Sequence, residues 1–273
     1  MNWLAENPME SACSAFDDIA EHYDEMFTRS VIGRAQRQIV WEVLADAFSP
    51  GDRVLEINCG TGEDALFLAR RGVSVEACDE SKQMIQVAQR RQAIEAPELP
   101  ISFQQLRTEC IEQLLPTTPF DGALSNFSGL NCAEDLRKVA SNLSALVRRG
   151  GQLVLCLSTR VCLWEIVWFS AHGEFRKACR RVRGSAIGRL GEYSVHVQYP
   201  TIRNIARAFR PWFKLGAVRA VGLLVPPSYL EFWAARHATI VSSLAGIDRR
   251  LGRFPVICGW GDHVLLQFER LRT

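Results

Sequence analysis

The feature that most constrains this chain is a short apolar strand pattern that runs directly into a glycine-containing turn and then into a helix pattern. Residues 53–57 read Arg-Val-Leu-Glu-Ile, and the turn at 58–62 reads Asn-Cys-Gly-Thr-Gly. Glycines in such a turn let the backbone approach a ligand closely at the carboxyl end of a strand. A helix pattern covers 63–69, and Gly72 ends it. The sequence therefore predicts a strand, a ligand-binding turn and a helix in this order.

The alternation of strand and helix patterns continues to residue 157. Further strands are predicted at 73–78, 101–106, 120–125 and 152–157, with helices at 81–93 and 133–148 between them. Alternation of this kind predicts a parallel sheet that carries helices on both faces. We therefore expect an α/β fold with a doubly wound, mostly parallel seven-stranded sheet.

The charges around the turn separate two kinds of nucleotide-derived ligand. The run from Gly60 to Ala65 also satisfies the dinucleotide pattern G-x-G-x-x-A, and Asp79 follows at the spacing of a ribose contact. A dinucleotide would place an anionic pyrophosphate at this turn, where Glu56 would repel it. S-adenosylmethionine has no phosphate and carries two cationic groups, which Glu56 would help to balance. Glu63 and Asp64 add negative charge beside the turn, or serve only as favourable acids in the first turn of the helix. The charges favour S-adenosylmethionine, and a dinucleotide-dependent oxidoreductase is the alternative.

Four segments in order resemble the class I S-adenosylmethionine-dependent methyltransferases, in the ubiquinone-methyltransferase-like (type 11/25) branch. Residues 54–62 resemble motif I, 75–85 the second-strand motif and 16–24 the N-terminal helix, while 120–126 lie where motif IV belongs. The resemblance covers residues 14–157. It implies a Rossmann-like methyltransferase fold, S-adenosyl-L-methionine as cofactor, and methyl transfer by in-line displacement.

The strand–helix alternation changes after residue 158, and this change divides the chain, which we expect to form a single methyltransferase domain over 1–273. Its parts would be an N-terminal helical cap (1–49), a cofactor-binding core (50–157), a substrate-side insertion (158–235) and a C-terminal completion of the sheet (236–273). Within these parts we predict helices at 14–29, 33–48, 160–183, 201–209 and 228–250, and strands at 195–199, 213–224 and 262–269. The last strand is expected to be antiparallel at the sheet edge.

The cofactor residues are carried over from the resemblance one by one. Gly60 and Gly62 would lie against the methionine part, Asp79 would accept from both ribose hydroxyls, Met84 would pack on adenine, and Tyr23 would cover the methionine end. The complete set is Tyr23, Glu56, Asn58, Cys59, Gly60, Gly62, Asp79, Glu80, Met84, Asn126 and Phe127. Five of them have a structural alternative: a tight turn for Gly60 and Gly62, a helix cap for Asp79, and core packing for Met84 and Tyr23. Asn58 replaces the first glycine of the motif, and Asn tolerates a left-handed backbone.

No histidine identifies itself as a general base. His196 and Tyr199 alternate with Val195 and Val197 along a predicted strand, and they are the catalytic candidates. Methyl transfer needs no strong base when the acceptor is already nucleophilic, because alignment and desolvation supply much of the rate. The large apolar side chains of 161–169 predict an apolar or aromatic acceptor pocket.

Composition narrows the partners. The chain has 32 Lys and Arg against 30 Asp and Glu in 273 residues, and its one short basic cluster lies at 176–183. Its nine cysteines form no compact ligand cluster, so no metal is expected. We expect a small-molecule substrate and no nucleic acid, and we leave open a peripheral membrane contact at the basic cluster. The N-terminal pattern is not that of a secretory leader, which favours a cytoplasmic location. The alternatives are a non-catalytic adenosylmethionine- or adenosylhomocysteine-binding protein and a methyltransferase acting on a lipid, a quinone or nucleic acid.

Overall fold

The computed structural model describes residues 8–114, 116–190 and 192–272. The helices are α1 (Pro8–Tyr23), α2 (Val31–Ala47), α3 (Glu63–Ala69), α4 (Lys82–Glu95), α5 (Leu136–Leu146), α6 (Leu163–Ala171), α7 (Phe175–Ala178), α8 (Ile202–Phe209), α9 (Glu231–Arg236) and α10 (Ala238–Leu251). The strands are β1 (Arg53–Ile57), β2 (Ser74–Asp79), β3 (Ile101–Gln105), β4 (Phe120–Ser125), β5 (Val147–Leu157), β6 (Ser185–Leu190), β7 (Tyr193–Gln198), β8 (Phe213–Val221) and β9 (His263–Arg270). A π-helical turn, Asp24–Thr28, follows α1.

Seven of the strands form one sheet in the order β3-β2-β1-β4-β5-β9-β8. Strands β1 to β5 pair in parallel, whereas β9 is antiparallel to both β5 and β8. The predicted α/β, mostly parallel seven-stranded sheet is confirmed. The expected edge position of the last strand is wrong, because β9 lies between β5 and β8. Its buried run from Val264 to Leu266 suits a strand with neighbours on both sides.

Strand β1 shows how the sheet is buried on both faces. Val54, Leu55 and Ile57 are fully buried, and alternate residues enter different cores because side chains alternate along a strand. Leu55 and Ile57 join the core formed with α5 and α8, while Val54 joins the core formed with α2, α3 and α4. The polar groups at the end of β1 are thereby held on a rigid element.

An antiparallel hairpin of β6 and β7 lies outside the main sheet and packs against α1. Only β7 was predicted. The sequence of β6, Ser-Ala-Ile-Gly-Arg-Leu, lacks the clear alternation of apolar and polar residues that marks a strand. Every residue of β6 is exposed or half-buried, as this sequence allows. The hairpin belongs to the expected substrate-side insertion, whereas β8, within the same range, completes the sheet.

Buried ion pairs attach the rest of the insertion to the sheet. Arg181 donates to Glu165 at 2.7 Å and to Asp262 at 2.6 Å, and Arg180 also donates to Glu165. Glu165, Asp262 and Cys162 lie as close together as metal ligands do, but the Arg181 guanidinium supplies the positive charge between the two carboxylates. The basic cluster at 176–183 is therefore largely occupied with internal pairing. In the described part of the chain no helix is both long and apolar enough to cross a membrane.

Candidate functional site

The turn after β1 has the backbone that its residues predicted. Asn58, Gly60 and Gly62 all have left-handed conformations, with φ of 58°, 53° and 76°. A Cβ atom on Gly62 would lie 2.7 Å from the Phe103 ring, so close packing and backbone conformation both require glycine there. The Asn58 amide donates to the Thr108 hydroxyl at 2.7 Å. Asn58 is thus accommodated in a left-handed position that glycine would otherwise occupy.

Asp79 lies at the end of β2 and faces the turn. One carboxylate oxygen accepts the Gly60 N–H at 2.8 Å, and the other accepts the Ser81 N–H at 2.9 Å. Each oxygen has two lone pairs, so each retains one acceptor position. Burial raises the pKa of Asp79, and the two N–H donors oppose that shift. The carboxylate is positioned to accept two further hydrogen bonds, as two ribose hydroxyls would require. Ser81 also caps α4, since its hydroxyl accepts the Met84 N–H at 3.1 Å.

Glu56 is 1% exposed, and one of its oxygens, Oε2, has no hydrogen-bond partner among the described residues. Burial raises its pKa well above the ordinary value, and the negative charge of Asp64 adds to the shift. A buried carboxyl group with an unpartnered oxygen favours a nearby cation, because the cation offsets the cost of its ionisation. The amino-acid part of S-adenosylmethionine carries such cations, so Glu56 fits that group.

Arg37 and Asp64 form a buried ion pair behind the turn. Asp64 was expected to add negative charge beside the turn, but its partner Arg37 was not identified from the sequence. Their atoms Nη1 and Oδ2 are 2.6 Å apart, and Trp41 and Asn126 also donate to Asp64, at 2.7 and 2.8 Å. The guanidinium carbon of Arg37 lies 4.7 Å from the centre of the Phe127 ring. The available sequence signal was an arginine on the apolar face of a helix.

A cavity of about 310 Å³ lies over the carboxyl ends of β1, β2 and β4, where ligands bind in open α/β sheets. Most of the predicted cofactor residues line it: Tyr23, Asn58, Gly60, Asp79, Glu80, Met84, Asn126 and Phe127. Glu56, Cys59 and Gly62 do not line the cavity. Glu56 and Cys59 are buried, and Gly62 supports the turn. The structure thus brings together residues predicted from four separate segments.

The cavity also has walls from the N-terminal helix and the insertion, as expected, but their individual residues were not predicted. Helix α1 contributes Cys13 and Phe16, and the β6–β7 hairpin contributes Leu190, Val195 and Val197. These side chains make that side of the cavity apolar. Arg189 and Glu80 are charged residues at the wall, along with Asp79. Their role was not visible in sequence because α1 and the hairpin become neighbours only in the folded chain.

Phe127 and Ser128 follow β4 at the edge of the cavity with left-handed φ values of 44° and 69°. Such conformations cost non-glycine residues about 1–3 kcal/mol each, and they cluster at functional sites. The Phe127 ring packs edge-on against Phe27, at 4.8 Å, and against His263, at 5.4 Å. These ring contacts hold Phe127 in its position against the cavity.

The structure brings neither catalytic candidate to the cavity. His196 is exposed, because its neighbours Val195 and Val197 face inwards and successive side chains of a strand alternate. Tyr199 follows the end of β7, and its ring lies 5.3 Å from the guanidinium carbon of Arg181, in the ion-pair cluster of the insertion. Burial raises the pKa of Tyr199. Placing His196 and Tyr199 in the acceptor pocket is therefore wrong.

The large aromatic residues of the insertion also have other positions than expected. Trp164, Trp168 and Trp233 pack together in a separate core with Val225 and Leu230. The Trp164 indole donates to the Leu224 carbonyl at 2.8 Å. These side chains attach the insertion to the rest of the fold and do not line the cavity.

Comparisons with known proteins agree with this geometry. A family model described as a methyltransferase domain matches residues 54–151. Over 165 residues the chain is 32% identical to a tRNA 5-carboxymethoxyuridine methyltransferase of Escherichia coli (strain K12), covering 58% of this chain and 57% of that protein. It is also 32% identical over 185 residues to an uncharacterized methyltransferase of Mycobacterium tuberculosis (strain ATCC 25618 / H37Rv), covering 63% of this chain and 86% of that protein. The chain thus spans just over half of the first relative and most of the second.

The fold is shared with solved structures. A putative S-adenosylmethionine-dependent methyltransferase from Listeria monocytogenes superimposes with a TM-score of 0.57 at 14% identity, covering 87% of this chain and 100% of that one. At this identity the similarity concerns the fold alone. The shared fold covers 87% of this chain, which is more than the family model matches in sequence.

Proposed function

Because this chain belongs to the class I S-adenosylmethionine-dependent methyltransferases, we propose that it methylates a small or medium-sized, apolar or aromatic metabolite. The predicted family is confirmed, and S-adenosylmethionine is the cofactor of that family. The observation that carries the substrate proposal is the cavity itself. It continues from the Asp79 carboxylate to an apolar wall made by α1 and the β6–β7 hairpin.

The residues around the turn suit each part of the cofactor. Asp79 has two acceptor positions for the ribose, and Met84 offers an apolar surface to the adenine. Glu56 provides a negative charge behind the wall, which matches the ammonium group of the methionine part, whereas the charge of Arg37 is paired with Asp64. Tyr23 also lines the cavity. Burial raises the pKa of its hydroxyl, the positive charge of Arg37 lowers this pKa, and the negative charge of Asp79 raises it.

The acceptor would lie against the apolar wall. Phe16, Leu190 and Val195 offer it a surface without hydrogen-bonding groups, which favours apolar or aromatic chemistry. Arg189, at the same wall, suits an anionic substituent on the acceptor. The cavity volume of about 310 Å³ is at the small end of ligand pockets, which disfavours a bulky acceptor group.

The cofactor supplies an activated methyl group, and the protein would supply alignment and exclusion of water. Among the described residues that line the cavity there is no histidine. Burial raises the pKa of the wall thiols Cys13 and Cys132 to about 11, so neither is a base at neutral pH. This environment suits an acceptor that is already nucleophilic, for which positioning provides most of the rate enhancement.

The test is transfer of tritiated methyl groups from S-adenosylmethionine into fractionated cell extract. We expect label in the organic-soluble small-molecule fraction. Replacing Val195 by Asp should abolish the label and leave adenosylhomocysteine affinity within a few-fold, whereas His196→Asp, on the outer face of the same strand, should change neither. Label in RNA or protein alone would contradict the substrate class. Cofactor binding with no label in any fraction would indicate the non-catalytic alternative.

A further inference from the structure

A second concave surface lies at the opposite end of the sheet from the cofactor cavity. It is a groove of about 620 Å³ between α8, the beginning of β8 and the end of the chain. Arg203, Arg207, Arg210 and Lys214 line it. Strand β8 begins at this groove and has nine residues, about 30 Å at the usual rise per residue. The groove is therefore separate from the cofactor cavity.

The four cations of the groove are exposed and concentrated along one direction. Arg203, Arg207 and Arg210 recur at spacings of four and three, which puts them on one face of α8 and its continuation over about 10 Å. None of the four forms an ion pair with a carboxylate in the described ranges of the chain. Glu269 pairs with Lys214 across the strands, but no ion pair joins them. Like charges at this spacing repel each other, so a bound anion would stabilise them.

Bases from other segments extend the groove along the same end of the sheet. Arg270 lies over the Phe213 ring at 5.5 Å, and Phe213 is part of the groove floor. Burial and then the positive charge of Arg149 lower the pKa of Arg270, which shows that the two bases are near one another. Arg272 follows the floor residue Leu271 and approaches Gly150, on β5.

We propose that this groove, defined by Arg203, Arg207, Arg210 and Lys214, binds the sugar-phosphate backbone of a single-stranded nucleic acid. A row of unpaired cations in a concave channel neutralises successive phosphates and releases their counterions. Arginine donates to phosphate through a fixed fork of N–H groups, which suits repeated phosphate contacts.

Two other anionic ligands fit the groove less well. A membrane surface is flat, and membrane-binding faces carry exposed large apolar side chains beside their bases. None of the exposed large apolar residues in the described chain lies on this groove, whose apolar floor is made of Phe213, Leu215 and Leu271. A single small anion would satisfy only one or two of the cations. The row and its extension favour a ligand with several phosphates.

The groove is an extended basic face, which was not expected from the sequence. No extended basic face was expected, because the only compact basic run in the sequence is 176–183. The folded chain instead assembles one from α8, β8, β5 and the end of β9. Binding at this groove does not require nucleic acid to be the methyl acceptor, and it does not depend on the proposed substrate.

The experiment measures binding of fluorescent 12-nucleotide RNA and DNA strands by anisotropy at several salt concentrations. We expect log K to fall with log salt by about 0.7 per phosphate contact, a slope of roughly −2 to −3 for the groove cations. Arg207→Glu with Arg210→Glu should weaken binding at least about tenfold and flatten the slope. The matched lysine double variant should retain most of the affinity, because it keeps both charges.

The control is Arg176→Glu with Arg183→Glu, a pair of exposed bases elsewhere that should leave binding unchanged. Adenosylhomocysteine affinity and the melting temperature should be the same in all variants. Absence of strand binding at low salt would overturn the proposal, as would equal loss in the control. If a mononucleotide bound as tightly as the 12-nucleotide strands, the groove would be a site for a small anion and the proposal would be overturned. Binding of anionic vesicles that needs Arg207 and Arg210, without strand binding, would also overturn it. RNA binding without DNA binding would identify RNA as the source of the backbone.

Discussion

Replacing Asp79 by Ala should weaken adenosylhomocysteine binding by about 3 kcal/mol, or roughly a hundredfold. The carboxylate already accepts the Gly60 and Ser81 N–H groups, at 2.8 and 2.9 Å, and it has two positions left for the ribose hydroxyls. A hydrogen bond to a charged group contributes about 1.5–3 kcal/mol, and two that share one carboxylate are not fully additive. Asp79→Asn keeps one acceptor oxygen and should lose about tenfold.

Asp79→Ala should also destabilise the fold, because it removes the acceptor of the Gly60 and Ser81 backbone N–H groups. We expect a loss of about 1–3 kcal/mol in the free energy of unfolding, less if water replaces the carboxylate. Asp121→Ala is the matched control. Its carboxylate accepts the Arg53 N–H at 2.8 Å at the opposite end of β1, so it should lose stability but not ligand affinity.

Isothermal titration calorimetry with adenosylhomocysteine, together with thermal unfolding of each variant, separates the two effects. A folded Asp79→Ala variant that bound the ligand within threefold of the unchanged protein would contradict the ribose contact. That contact would also be contradicted if the Asp121 control lost as much affinity. Either result would mean that Asp79 serves only the turn and the start of α4.

Three further predictions concern other parts of the fold. Glu56 has a raised pKa in the free protein, so a cationic ligand should bind better as pH rises and this carboxyl loses its proton. Free-protein stability should fall with rising pH between the ordinary glutamate pKa and the raised one. Calorimetry of S-adenosylmethionine binding in two buffers of different ionisation enthalpy should detect proton release by the unchanged protein and none by Glu56→Gln. Equal proton release by the two proteins would contradict this role of Glu56. Glu165→Ala should lose up to about 3 kcal/mol on denaturant unfolding, because it removes a buried partner of Arg180 and Arg181 while Asp262 still pairs with Arg181. Glu174→Ala, at a surface ion pair, should lose less than about 1 kcal/mol; similar losses count against the buried network. Alanine at Gly60 or at Gly62 is strained by the left-handed φ, but only at Gly62 does the added Cβ also meet the Phe103 ring. Gly62→Ala should therefore lower the melting temperature more than Gly60→Ala, and Gly60→Ala should mainly reduce ligand affinity; the reverse order would show that the two glycines have been assigned the wrong roles.

Much of the central sheet was predictable because its inner strands, such as β1 and β4, are buried on both faces. The predicted bounds of β1, α3 and β4 agree with the structure. A strand buried on both faces is a continuous apolar run, and its signal does not depend on which neighbours cover it. The cofactor side of the site was predictable for a related reason: glycines, a buried acid and a second acid at the next strand end are local requirements of the turn.

The acceptor side was not predictable from the same patterns. Strand β6 has no residue that is fully buried, so nothing in its sequence indicates a partner. His196 was placed on the wrong face because alternation along β7 does not say which face meets α1. The aromatic residues of the insertion were assigned to the pocket by their size alone, and size does not distinguish a ligand pocket from a packed core.

The sequence by itself determined the class of fold, the order of the first five strands along the chain and the chemistry of the turn, since each depends on residues close together in the chain. Only the tertiary structure decided what covers the cavity, where β9 enters the sheet and which bases share a surface. Those features depend on contacts between segments far apart in sequence. The groove at α8 is an example: β9 inserts between β5 and β8, and its end thereby brings Arg270 and Arg149 beside the cations that follow α8. Charges more than 50 residues apart in the chain leave no local pattern, because their proximity arises only when the strands pair.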